Sequence, residues 1–430
     1  MCRIHSWHLI PCCLLILLGG CNIKETQTDG GGALEDEIIS VEVDLSSNNS
    51  VVEPIKEKKY LPKMEESIVT DEMMDLAIKS KGNLARITDV MNRAAQGDPI
   101  TIGVIGGSIT QGSSSTKPEN SYASLVKDWW EAAFPTADVS FVNAGLGGTD
   151  SYLGVHRMDI DLMQYNPDLV IVEFSVNDTD TLFYKKSYEN LVRNILSAEN
   201  NPAIILLFTT MEDGTSAQVQ HSFIGFHYTL PMISYRDAIL GAIDQGLYKW
   251  SEISPDNIHP NDQGHKIIGE ILWNYFNDIY SKLEYINEQV EPLKKAALTR
   301  EAYKNATIWD SEDLEPLQMG AFEKSSTYER FGHSWTSQGG EESIILEVEA
   351  MNIGVLYYRT IDGLSGQYEV FVDGEYIMTL DADFSGGWGN CVSAMEIYSS
   401  KEIKTHTVEI KKSAESTGDV FTLLGLLIAQ

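Results

Sequence analysis

The chain has 430 residues, with 63 acidic and 31 basic side chains and a formal net charge of -32. That balance excludes an electrostatic nucleic-acid binder and a surface drawn to anionic lipid, and it suits a neutral substrate better than an anionic one. The length allows two domains, each with its own core.

Arg3 and an apolar run over residues 9–18, interrupted by Pro11, read as a secretory leader too short to span a bilayer. The run ends Leu18-Gly19-Gly20-Cys21, which resembles the lipobox of bacterial lipoproteins. On that reading residues 1–20 are removed and Cys21 is lipidated. The mature chain is then an exported lipoprotein, anchored in the membrane at the bacterial surface or envelope. An ordinary leader with an incidental cysteine is the simpler alternative. Cys2, Cys12 and Cys13 leave with the leader, so Cys391 is the one thiol left and no internal disulfide is expected. Residues 21–60 are rich in Glu, Asp, Ser, Asn and Gly, without periodicity, and read as a disordered acidic tether.

Over residues 61–295 short apolar runs alternate with helical patterns. Strands are expected at 101–105, 139–142, 168–174, 203–208 and, more weakly, 231–234. Tyr122, Leu125, Val126, Trp129 and Phe134 recur at helical spacing between the first two. Asn261 or Asp262 caps a closing helix through Trp273 and Phe276. Continuous apolar strands separated by helices predict an α/β fold whose parallel sheet is covered on both faces. Residues 296–430 change character. Strand patterns at 344–348, 354–359, 368–372, 376–380, 406–410 and 421–428, with a hairpin turn at Asp373-Gly374, predict a smaller all-β, sandwich-like domain.

Polar loops follow the strands of the first domain, where open α/β sheets bind ligands. They carry Gly106-Gly107-Ser108-Ile109-Thr110, Asn143-Ala144-Gly145-Leu146-Gly147-Gly148, Ser175-Val176-Asn177-Asp178 and Asp256-Asn257-Ile258-His259-Pro260. A serine hydroxyl is a weak nucleophile and needs a base within hydrogen-bond reach. His259 supplies one, and Asp256, three residues earlier, can orient its imidazole, as in a serine triad. Thr110 stands where a nucleophile elbow has its last glycine, so this is not an obvious α/β-hydrolase.

In these four blocks and their order, residues 99–280 resemble the SGNH (GDSL-type) hydrolase family. The resemblance implies a flavodoxin-like three-layer α/β/α fold and a serine esterase. It implies Ser108, Asp256 and His259 as catalytic residues, and Ser108, Gly148 and Asn177 as the oxyanion hole. One departure stands out: the family's Gly-Asp-Ser-Leu is Gly106-Gly107-Ser108-Ile109 here, without the acid. The expected activity is hydrolysis of acetyl or other short acyl esters, on carbohydrate or another small ester, with no cofactor and no metal. The alternatives are a lipase, thioesterase or O-acyltransferase on the same residues, or a glycan-binding lipoprotein with a vestigial hydrolase domain.

Other residues receive weaker readings. Tyr152, Gly154 and Arg157 are taken as scaffold. His221, His227 and His265 lack metal-ligand spacing, and His265 is expected at the surface of the closing helix. Residues 211–214 either line the cleft or form an ordinary loop. Trp335, Tyr357, Tyr358 and Trp388 offer a sugar-stacking face or belong to the β-domain core.

Overall fold

The computed structural model describes residues 60–290, 293, 295–326 and 328–430. The leader, Cys21 and all of the tether but Tyr60 lie outside the described residues. Ten helices are described: α1 (Asp71–Ala77), α2 (Ala85–Ala95), α3 (Ser108–Gln111), α4 (Tyr122–Ala133), α5 (Ser151–Asp161), α6 (Leu182–Leu196), α7 (Gln218–Tyr228), α8 (Tyr235–Asp244), α9 (Trp250–Ile253) and α10 (Asp262–Ser281). Strands β1 (Ile78–Ser80), β2 (Ile100–Gly106), β3 (Val139–Gly145), β4 (Leu169–Glu173), β5 (Ala203–Phe208) and β6 (Met232–Ser234) form one sheet.

The order in that sheet is β1-β6-β5-β4-β2-β3, parallel except for β1 on β6. The five expected strands thus run in the flavodoxin-like order 2-1-3-4-5. The short β1 adds an antiparallel edge that no periodicity announced. The central strands read as unbroken apolar runs because both faces are covered. Leu169, Ile171, Ala203, Ile205 and Leu207 face the layer of α2, α4, α8 and α10, whereas Val170, Val172, Ile204, Leu206 and Phe208 face α5, α6 and α7. Asn261, not Asp262, caps α10, its side chain accepting from Gln263 N–H and Gly264 N–H. Asp262 instead holds Thr116 and Asn120.

The remaining strands are β7 (Ala306–Trp309), β8 (Phe322–Ser325), β9 (Ser334–Gln338), β10 (Ile344–Arg359), β11 (Gln367–Val372), β12 (Glu375–Asp381), β13 (Cys391–Lys412) and β14 (Val420–Ala429). They form one antiparallel sheet in the order β12-β11-β13-β10-β14-β9-β8, with β7 on β14. The two expected strands 344–348 and 354–359 are halves of β10. They are joined through bulges around Asn352, a buried polar residue that bonds Ala302 O and accepts from Arg300 and Ser399. The Asp373-Gly374 turn has both residues at positive φ, 52° and 82°, as a two-residue hairpin of this kind requires.

β14 explains how the two parts meet. Phe421, Leu423, Leu426 and Ile428 enter the β-domain core, whereas Leu424, Leu427 and Ala429 pack among residues of α5 and α6. The alternation slips by one at Gly425, where the register with β10 shifts. Helix α5 is therefore covered on both sides, and Ser151 to Met158 are all buried. Gly354 is obligatory there: a Cβ would sit 2.2 Å from Tyr152 Oη.

Candidate active site

Four loops at the C-terminal ends of β2, β3 and β4 and before α10 converge. Ser108 opens α3 directly after β2. Its Oγ lies 2.9 Å from His259 Nε2, and His259 Nδ1 lies 2.8 Å from Asp256 Oδ2. With Nδ1–H donated to the carboxylate, Nε2 is left to accept the serine proton.

The loop that carries this pair is fixed by its own backbone. Asp256 Oδ1 accepts from Ile258 N–H and His259 N–H, both at 2.7 Å. Trp250 Nε1–H donates to Asp256 O, and Glu212 N–H donates to Asn257 O. Burial works to raise the Asp256 pKa. Hydrogen bonds from the His259 backbone and imidazole and from Ile258 outweigh it, so the carboxyl lies below the usual range. Residues 211–214 thus brace the Asp256–His259 loop and do not line the pocket.

Gly148 and Asn177 line the same pocket as Ser108. Gly148, at φ +70°, follows Gly147, whose N–H is tied to Gln111 Oε1 at 2.8 Å. Asn177 forms the opposite wall. Among the described residues, the N–H groups of Ser108 and Gly148 and the Asn177 Nδ2 donate no protein hydrogen bond. At Gly107, where the family's acid is missing, a Cβ would lie 2.3 Å from Asn177 Oδ1. Any larger residue would displace the amide.

The floor beneath these loops is polar and buried. Arg157 donates to the carbonyls of Gly106 (3.0 Å) and Ala144 (2.6 Å) and pairs with Asp161 (2.8 Å), so it fastens the ends of β2 and β3. Glu173, at the end of β4, accepts from Thr209 (2.7 Å) and Thr110 (3.2 Å). Burial raises its pKa, partly offset by those bonds. The reading of the sequence passed over Glu173, although a lone acid ending an apolar strand was the available signal. His265, expected at the surface, is fully buried. It accepts from Tyr122 N–H and faces Ser113 O, linking α10 to the loop after α3. His227 lies away from the site, against Ala296 O.

The pocket over Ser108 has a volume of about 280 Å³, with Val176 and Ile258 as apolar walls. Its outer rim is Trp388, from the β domain. The ring lies over Gly148, where a Cβ would be 3.0 Å from Trp388 Cζ2, yet the residue is 69% exposed. The glycine-rich loop that presents it is packed on Phe384, whose ring is held by the Arg359 guanidinium 4.4 Å away. Trp335 and Tyr357, offered beside it as a stacking face, belong to the β-domain core, and Tyr358 packs on Tyr328. A wider groove of about 1010 Å³ shares Gln111 and follows the open edge of β3 past Tyr165 and Tyr328. Among the described residues no group of three or more His, Cys, Asp or Glu side chains could hold a metal ion.

A model of the GDSL-like lipase/acylhydrolase family matches residues 104–267. Two crystal structures of a two-domain esterase active on acetylated mannans are similar over both domains. The one co-crystallized with mannopentaose is 34% identical, covers 83% of this chain and 98% of its own, and has a TM-score of 0.76. The other is 36% identical over the same shares, with a TM-score of 0.78. No curated protein matches. With a relative of this identity aligned over nearly its whole length, the chain belongs to the GDSL-like lipase/acylhydrolase family and is a carboxylic ester hydrolase.

Proposed function

We propose that the protein is a carbohydrate esterase that removes acetyl groups through a Ser108 acyl-enzyme. The observation that carries this reading is the hydrogen-bonded line from Ser108 Oγ to His259 to Asp256 beside three unengaged donors. His259 takes the Ser108 proton as Oγ attacks the ester carbonyl. The N–H groups of Ser108 and Gly148 and the Asn177 amide then receive the oxyanion. His259 returns the proton to the leaving sugar hydroxyl, and a water activated by the same imidazole releases acetate.

A small acyl group is favoured by the pocket, whose volume of about 280 Å³ is at the low end for ligand sites. That disfavours a long-chain lipase on the same residues. Carbohydrate is favoured by the exposed Trp388 ring at the rim, by the wide groove alongside, and by the acetylated-mannan activity of the two-domain relatives. In this reading Cys21 carries the lipid and residues 21–60 hold the enzyme off a bacterial membrane. Replacing Cys21 with alanine then releases active enzyme into the soluble fraction.

The test is acetate release from acetylated mannan, acetylated xylan and p-nitrophenyl acetate, with p-nitrophenyl palmitate as the long-chain control. Acetate from a polysaccharide and silence on palmitate are expected. Palmitate turnover exceeding acetate turnover would reverse the assignment.

A further inference from the structure

Behind the oxyanion wall lies a second Asp–His pair that the proposed reaction does not use. His221, on α7, is fully buried, and its Nε2 lies 3.0 Å from Asp178 Oδ2. Its ring is stacked on Tyr188, with centroids 3.5 Å apart and planes within 5°. Nδ1 is buried without a partner, so the ring's one polar engagement is with Asp178.

Asp178 directly follows Asn177. Its other oxygen, Oδ1, accepts the Ser151 N–H at 3.0 Å, three residues after Gly148. One carboxylate therefore ties the loop that carries the Asn177 amide to the helix that ends the Gly148 loop. α7 supports the same loop from behind: Ala217 N–H donates to Ser175 O at 2.7 Å, and Gln220 donates to Thr179 O at 3.3 Å. A buried carboxyl oxygen that lost its imidazole partner would be left without a hydrogen bond and would move toward another donor or toward water.

We propose that the Asp178–His221 pair is a positioning device for the oxyanion hole, setting the separation between the Gly148 N–H and the Asn177 amide. The inference rests on the proposed role of those two donors. It assigns His221 no contact with substrate. Its effect falls on the transition state and leaves ground-state binding alone, because the donors meet a developing charge that the bound ester lacks.

The experiment compares His221→Phe, His221→Gln and Asp178→Asn with Asn177→Ala on p-nitrophenyl acetate, with active sites counted by phosphonate titration. A phenylboronic acid serves as the tetrahedral analogue. His221→Phe keeps the stack on Tyr188 and loses the donor; His221→Gln restores one. For His221→Phe, kcat per active site is expected to fall about 10²-fold, the cost of a misplacement near 1 Å, with KM within about two-fold. Boronate affinity falls in parallel, and His221→Gln recovers most of both. On an Asn177→Ala background His221→Phe adds less than about three-fold, since the amide it positions is gone. If His221→Phe yields no folded protein, Asp178→Asn is held to the same kcat, KM and boronate criteria. Wild-type kcat in these variants, a loss confined to KM, or full additivity with Asn177→Ala overturns the proposal. Should Asn177→Ala itself leave kcat unchanged, the oxyanion reading fails first.

Discussion

Replacing Gly107 with alanine separates catalysis from folding at one atom. The backbone there has φ -86° and ψ -147°, outside the positive-φ region that favours glycine. The added Cβ would lie 2.3 Å from Asn177 Oδ1 and 2.8 Å from its Cγ. Ordinary contact begins near 3.4 Å, so the amide must retreat by about 1 Å. Nothing polar holds it back, because Oδ1 is buried without a hydrogen-bond partner. Little folding energy is lost, whereas a donor moved by about 1 Å costs roughly 10²-fold in turnover, or about 2.7 kcal/mol of barrier. Gly107→Asp, which restores the family's signature acid, meets the same obstruction and gains nothing. The assay is kcat on p-nitrophenyl acetate beside thermal denaturation. We expect a loss near 10²-fold with Tm within a few degrees, and no further loss when Asn177→Ala is combined with Gly107→Ala. Retention of kcat within about three-fold in Gly107→Ala would refute the argument that this glycine makes room for the amide.

Three further outcomes follow from other parts of the structure. Trp388→Ala should raise KM for an acetylated oligosaccharide by about 5- to 10-fold and leave p-nitrophenyl acetate unaffected; equal effects on both would remove the ring from sugar binding. Arg157→Leu strands the carbonyls of Gly106 and Ala144 and should cost about 3–5 kcal/mol in urea denaturation; a loss under about 1 kcal/mol would contradict its role as a clamp. Burial and the nearby Asp178 charge raise the Asp150 pKa to about 6. Its folded value exceeds the unfolded one, so its stabilising contribution is complete below about pH 4 and is lost as pH rises through about 6. Asp150→Asn, which keeps the helix cap, should flatten that decline, and parallel stability profiles for the two proteins would count against it.

The parallel sheet was legible because strands covered on both faces leave continuous apolar runs, as in residues 203–208. Ser108, Gly148 and Asn177 were legible because they stand on the loops that directly follow β2, β3 and β4, whereas Asp256 and His259 stand on the loop before α10. The structure places Ser108, Gly148, Asn177 and His259 around one pocket, with Asp256 bonded to His259 behind it. β1 was not legible, having three residues and no period. β13 shows apolar alternation only at 406–410; its first half is mostly half-buried, with Val392 and Ile397 covered, and pairs with β10 through backbone bonds that leave no pattern in side chains. His265 was misplaced because a polar residue on an amphipathic helix looks solvated until a partner, here Tyr122 N–H, is brought against it from 143 positions away. Gly107 looked like a lost acid, and its meaning lies in contact with Asn177, which sequence spacing does not carry. Trp335 and Trp388 share a composition and differ only in burial, 0% against 69%.

Covalent trapping reaches the central claim most directly. The protein would be incubated with a p-nitrophenyl alkylphosphonate, digested and analysed by peptide mass spectrometry, with Ser108→Ala and His259→Ala alongside. One phosphonyl group on Ser108 of the native protein, stoichiometric with loss of esterase activity, is predicted, with none in Ser108→Ala and slow labelling in His259→Ala. Activity lost with the label on another serine, or Ser108→Ala still releasing acetate, would contradict the account.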